Sequence, residues 1–171
     1  NSSAASDVYK RQLDIMLSSP LYFDIDMKDL DPPVFSEAKR NTICLIEFLK
    51  DEYGKQPDLV VFSGSQGFHV YFWNWDTNEI LKLSPRNRLL EFKRRRQKLL
   101  TTLKKKKIIV DERVASDPFR IMKIPNTLHR KTGLIAKPVN QVEKFNPKKD
   151  AITFNLEVYE EIFGLDWSIY E

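Results

Sequence analysis

Residues 58–75, "DLVVFSGSQGFHVYFWNW", decide how the rest of the chain is read. β-Branched and aromatic residues predominate in 59–62 and 68–73, and Gly64 and Gly67 between them give the backbone room for a tight reversal. The stretch therefore predicts a buried strand, a glycine turn and a second strand, paired as a hairpin. Side chains alternate along a strand, so His69 shares a face with Tyr71 and Trp73, while Phe68, Val70 and Phe72 line a core.

Towards the N-terminus, "LYFDID" at 21–26 predicts another strand, with two acids inside an otherwise apolar run. Asp24 and Asp26 lie two residues apart and project from one face, about 7 Å apart along the strand. Two like charges so placed need a counter-charge: a divalent cation, basic side chains, or solvent at a sheet edge. A short helix is expected over 9–17, and "DLDPP" punctuates the chain after the acidic strand. Phe35, Ala38, Leu45, Ile46 and Leu49 recur at helical spacing and predict an amphipathic helix over about 34–52, ending towards Gly54.

Towards the C-terminus, Leu89, Phe92, Leu99, Leu100 and Leu103 form the apolar stripe of a helix from about 84 to 107. Short strands are expected at "KIIVD", which closes on Asp111, and at "FRIMKI" and "GLIAKPV". A final helix, "LEVYEEIF", should stop at Gly164. The elements alternate without the regular strand, helix, strand repeat of a wholly parallel sheet. The fold class is therefore α+β, a mixed or antiparallel central sheet flanked by helices.

The chain has 171 residues, 42% of them hydrophobic and 30% charged, which fits one globular domain with a sizeable core. Residues 1–8 read as a leader, disordered or not native to the protein, and residues 9–171 as a single domain. No apolar run approaches the length of about 18 residues that a membrane span needs. The single Cys44 sits in the apolar stretch "NTICLIEFL" as a core thiol and excludes a cysteine-rich zinc site or an internal disulfide. An intracellular setting is expected.

Net charge is +4, but Arg86 to Lys107 carries eleven Lys or Arg against one acid, Glu91, leaving the remainder at −6. Arg86, Arg88, Lys93, Arg94, Arg95 and Arg96 are the candidate contacts for a polyanion such as nucleic acid, against the alternative of a solvated helix face. Around the hairpin turn, Ser63, Gly64, Gln66, Gly67 and His69 could meet an anion through amides, hydroxyl and imidazole, or could form an ordinary hairpin. Downstream, "DERVASDPFRIMKIPNTLHRKTGLIAKPV" follows Asp111 with Arg120, Lys123, His129, Arg130 and Lys131. Such cationic donors suit a triphosphate, or are exposed loop residues around Pro125.

Taken in order, "DID", "SGSQGFH", "DERV" and "KIPNTLHRKTGL" resemble the motif series of the archaeo-eukaryotic primase superfamily, catalytic small subunit, over about residues 21–139. The resemblance implies a compact primase-polymerase core, synthesising primers on single-stranded DNA by template-directed nucleotidyl transfer. It implies two divalent metal ions, Mg²⁺ or Mn²⁺, held by Asp24, Asp26 and Asp111. Ser63, Gly64, Gln66, Gly67, His69, Lys123, His129 and Lys131 would then bind the incoming nucleoside triphosphate. Partners so implied are a single-stranded DNA template and nucleoside triphosphates, with a large primase subunit or a fused accessory domain as a further candidate. Two departures stand out: Ser65 and Gln66 replace basic residues between the turn glycines, and Thr127 stands where serine is common. Only 41 residues separate His69 from Asp111, which leaves no room for the zinc element or long helical insertion of typical small subunits, and no structural zinc is expected. The alternatives are a repair or gap-filling polymerase of the same superfamily and a non-catalytic single-stranded nucleic-acid-binding domain.

Overall fold

In the computed structural model, which describes residues 20–27, 34–76 and 79–170, three strands make one antiparallel sheet. They are β1 (Leu21–Ile25), β2 (Leu59–Phe62) and β3 (Phe68–Phe72), in the order β1-β3-β2. The 58–75 stretch is the hairpin β2–β3, and the acidic strand pairs with its inner member. The expected leader and the helix over 9–17 lie outside the described residues.

The hairpin turn is closed by its own serine. Ser63 N–H donates to Gly67 O at 2.9 Å, and Ser63 Oγ accepts from the amides of Ser65 and Gly67 at 3.2 and 3.3 Å. Side-chain oxygens that mimic a backbone acceptor in this way hold short reversals without a ladder.

Each face of the sheet has its own cover. On one face Leu21, Phe23, Ile25, Phe68, Val70 and Phe72 are buried against α1 (Val34–Tyr53), which contributes Phe35, Ala38, Leu45 and Leu49. The Phe35 ring stacks on Phe68 at 5.5 Å and meets Phe62 edge-on at 5.8 Å. Helix α1 stops where expected, with Gly54 in the left-handed region at φ +62. On the other face Tyr22, Val61 and Tyr71 pack with Met122 and Ala136 of the long 117–141 segment. Cys44 is half-buried against the main core with a free thiol.

Three expected strands are absent, each because side chains or proline take over the backbone pairing. After a turn at Lys107, in the left-handed region at φ 59, residues 108–111 pass beside α1, where the Asn41 amide holds Ile109 N–H and C=O. The 119–124 run is hung from the sheet by two tyrosines: Tyr22 Oη donates to Arg120 O at 2.7 Å and Tyr71 Oη to Lys123 O at 3.3 Å. Residues 133–139 reach the edge of β2, with Phe62 N–H to Lys137 O and Val139 N–H to Val60 O at 2.8 Å each, but the bridge is at Pro138. Proline has no N–H, so the ladder cannot extend.

The remaining helices are α2 (Pro85–Lys105), α3 (Glu112–Ser116), α4 (Pro147–Asp150) and α5 (Leu156–Phe163). Phe92, Leu99, Leu100 and Leu103 of α2 face inward as the stripe requires. Arg96 joins them at 1% exposure, donating Nη2–H to Pro20 O at 2.9 Å and lying over the Phe92 ring. It sits one turn from Phe92 and Leu100, on the inward side of the helix, so it departs from the expected solvent-facing basic set. Removing this buried guanidinium takes away a donor to Pro20 O, the packing over Phe92 and one of the two guanidinium charges that balance buried Asp76. Arg96→Ala should therefore cost about 3 kcal/mol in urea unfolding, whereas Arg86→Ala, on the exposed face, should cost under about 0.5 kcal/mol.

Candidate active site

The polar residues of β1 and β3 meet across the strand pair. Register sets Asp24 opposite His69, and His69 Nε2 lies 3.7 Å from Asp24 Oδ1. Asp26 follows β1 on the same side, half-buried like Asp24. Asp111 arrives from the far end of α2, 87 residues later, and its N–H donates to Asp24 O at 2.9 Å. The three acids expected to act together are thus brought to one edge of the sheet. Asp111 Oδ1 also caps α3, accepting from Arg113 N at 2.8 Å and Val114 N at 3.3 Å.

Opposite the acids, the 123–134 segment is packed onto the hairpin turn. Lys123 Nζ donates to Ser63 O at 3.3 Å, and Thr132 Oγ1 donates to Gly64 O. Gly64, at φ +83, admits this approach, because a Cβ there would lie 2.8 Å from His129 Cβ and 3.4 Å from Lys123 Nζ. Gly67 serves a different contact. A Cβ at Gly67 would sit 1.9 Å from Ile25 O and 3.2 Å from Asp26 Cα, so this glycine sets how closely the turn approaches the acidic end of β1.

Thr132 fixes a histidine tautomer. Its one hydroxyl proton goes to Gly64 O, so the oxygen accepts from Leu134 N–H and from His129 Nδ1 at 3.2 Å. His129 must then carry its proton on Nδ1, and its Nε2 donates only as the imidazolium. Lys131 and Arg130 on the same reversal are exposed, while Ser65 and Gln66 of the turn are half-buried.

His69 is 8% exposed, and its Nδ1 has no hydrogen-bond partner among the described residues. Burial, reinforced by the Lys123 ammonium and by His129 and opposed by Asp26, pushes its pKa down to about 4. The ring is neutral at pH 7. A folded-state value below the unfolded 6.5 means that the unfolded chain binds the proton first as pH falls. Stability present above pH 6.5 should be lost between pH 6.5 and 4, by about 3 kcal/mol. Urea midpoints in metal-free buffer should show this loss, and His69→Gln should flatten it. Burial also lowers the Lys123 pKa and raises that of Tyr71, to about 12.

The donor set suits a hard divalent cation: three carboxylates on one edge, faced by a neutral imidazole. Among the described residues, no three His, Cys, Asp or Glu side chains are grouped tightly enough to hold an ion. The segments of Asp24 and Asp111 meet through main chain, and one Asp111 carboxylate oxygen is engaged at the α3 cap.

The basic helix is partly self-neutralised. Arg94 and Arg95 both grip Glu91, at 2.7 to 2.8 Å, and Arg88 closes the preceding turn through Leu83 O and Leu81 O at 2.8 and 2.9 Å. Arg86 and Lys93 are exposed. Four positioning residues, Asn41, Tyr22, Tyr71 and Thr132, were not among the expected site residues. Their role depends on which segment folds against them, and spacing along the chain carries no such signal.

Residues 23–141 match the family model for the DNA primase small subunit. The DNA primase small subunit PriS of Saccharolobus solfataricus is 30% identical over 123 residues, 64% of this chain and 36% of that protein. The PriS of Pyrobaculum islandicum is 29% identical over 168 residues, 73% of this chain and 53% of its own length. The chain thus spans between about a third and about half of the curated relatives it matches. Among solved structures, the polymerase domain of Mycobacterium tuberculosis ligase D, in complex with DNA, shares the fold. Its TM-score is 0.52 at 20% identity, covering 85% of this chain and 50% of that one.

Proposed function

Since the chain belongs to the DNA primase small subunit family, we propose that it is a template-directed nucleotidyltransferase that makes primers on single-stranded DNA. The observation that carries this reading is the Asp111 N–H to Asp24 O bond of 2.9 Å. It joins two segments, 87 residues apart in sequence, whose common property is an acid.

In this reading Asp24, Asp26 and Asp111 hold the divalent ions. Bound there, such ions would lower the pKa of an attacking 3′-hydroxyl and offset charge on the departing pyrophosphate. The chain's own donors do the rest. Lys123, held against Ser63 O, offers a fixed positive charge to the triphosphate. His129, locked through Nδ1 by Thr132, donates from its second nitrogen when charged, a state that a polyphosphate favours. Lys131 adds an exposed ammonium. Neutral His69 keeps Asp24 from being screened by a permanent cation and supplies a ring N–H without adding charge. The exposed Arg86 and Lys93 and the lysines at 104–107 provide the contacts to template phosphates.

The testing experiment offers an unprimed single-stranded template with ribonucleotides and deoxyribonucleotides in parallel reactions, each with Mg²⁺ or Mn²⁺. Short products without a primer support primer synthesis. Extension confined to annealed primers would mark a gap-filling polymerase of the same superfamily. Binding without any incorporation would leave only a nucleic-acid-binding domain.

A further inference from the structure

Away from the acids, at the opposite end of β3, lies a cleft of about 440 Å³ between the end of α1 and the middle of α2. Its aromatic wall is Tyr53 and Trp75, with ring centroids 5.4 Å apart. Phe72 braces Trp75 edge-on at 5.3 Å, and Phe48 backs Tyr53 at 6.1 Å. Tyr53 nevertheless leaves 44% of its surface open. Arg94 and Lys98 line the α2 side, with Arg95 fixed 3.7 Å from buried Asp76, and Lys55 stands beside the aromatic wall, donating to Asn74 O at 3.5 Å.

Charge selects the occupant. Four cations face two acids, Asp76 and Glu79, and Glu91 engages both arginines from outside the cleft. The small positive excess matches one phosphodiester rather than the several charges of a triphosphate. The size suits one nucleotide, and a rigid aromatic wall accepts any base by its π-face.

A second groove, of about 530 Å³, lies on the other flank of α2 and carries Gln97, Thr101, Lys104, Glu112, Arg113 and Ser116, with Lys104 3.9 Å from Glu112, the residue after Asp111. Arg94 and Lys98 line the first groove while Gln97, Thr101 and Lys104 line the second, so α2 is a ridge between them. The geometry points to a path for one single strand: an unpaired base stacks on Tyr53 and Trp75, and the backbone crosses α2 to reach Asp111. This extends the template reading above by fixing where the strand is gripped outside the catalytic edge.

The test uses the whole chain in EDTA, so that polymerisation plays no part, with fluorescein-labelled oligo-dT of 20 residues as probe. Tyr53→Ala should weaken binding roughly tenfold, with Tyr53→Phe retaining parental affinity. Lys98→Ala should reduce the slope of log affinity against log salt by about 0.7. Oligo-dT should quench tryptophan fluorescence, and Tyr53→Ala should diminish that quenching. Parental affinity in Tyr53→Ala, equal binding of a blunt duplex, or equal quenching by free thymidine triphosphate would each overturn the path. Circular dichroism checks that the variants are folded. The unprimed-template assay on the parent separates the two readings: incorporation with a neutral Tyr53 sinks the path alone, and a Tyr53 effect without incorporation sinks the enzyme alone.

Discussion

Asp24→Ala and Asp26→Ala are each expected to lower metal-dependent nucleotide incorporation about a thousandfold while leaving the fold intact. The size of the effect follows from what the two carboxylates would do. They belong to the set that would hold the charge stabilising both the nucleophile and the leaving group, and other donors at the site are cationic or neutral. The intact fold follows from their surroundings. Both side chains are half-buried on the sheet's polar side, whereas Leu21, Phe23 and Ile25 on the other side carry the packing. Thermal midpoints of the variants should stay within a few degrees of the parent. Incorporation is measured on a primed template with Mn²⁺, and undiminished rates in either variant would remove the acids from the chemistry.

Gly67→Ala is expected to harm both stability and activity. The added Cβ would meet Ile25 O at 1.9 Å, a contact with main chain that no rotamer relieves. Either the turn lifts from β1 or the end of β1 shifts, at a cost of about 3 kcal/mol in urea unfolding. Asp26 Cα, 3.2 Å from the new atom, moves with it. A displacement of about 1 Å at a positioned group lowers rate about a hundredfold. Gly54→Ala is the control. Its φ of +62 is strained for alanine, yet nothing lies within 4 Å. It should cost about 1 kcal/mol and leave incorporation unchanged. A Gly67→Ala protein as stable and active as Gly54→Ala would contradict the close approach.

Much of the frame was legible because it rests on local signals. Alternation around residues 58–75 gave the hairpin and its two faces, helical spacing located α1 and α2, and Gly54 and Gly164 ended helices where glycine can turn left-handed. The three strands that failed were short apolar runs whose backbone partners come from elsewhere. Asn41, Tyr22 and Tyr71 replace ladder bonds by side-chain bonds, and nothing within "KIIVD" or "FRIMKI" announces that. Arg96 was misassigned for a related reason. A charge within a basic run reads as exposed, and only the position of Pro20 O reveals a buried acceptor for it. Motif order indicated which residues to group, but the tautomer lock at Thr132 and the close approach of Gly67 to Ile25 O appear only in three dimensions.

The central claim, that Asp24, Asp26 and Asp111 act as one cation-binding group, is tested most directly through Asp111→Asn. Asparagine caps a helix as well as aspartate does, so α3 keeps its start while one negative charge disappears. Mn²⁺ titration followed by electron paramagnetic resonance should show at least tenfold weaker binding in Asp111→Asn than in the parent. Combining it with Asp24→Asn should add less than the two separate losses together. Parental Mn²⁺ affinity in Asp111→Asn would mean that Asp111 serves only the helix it caps.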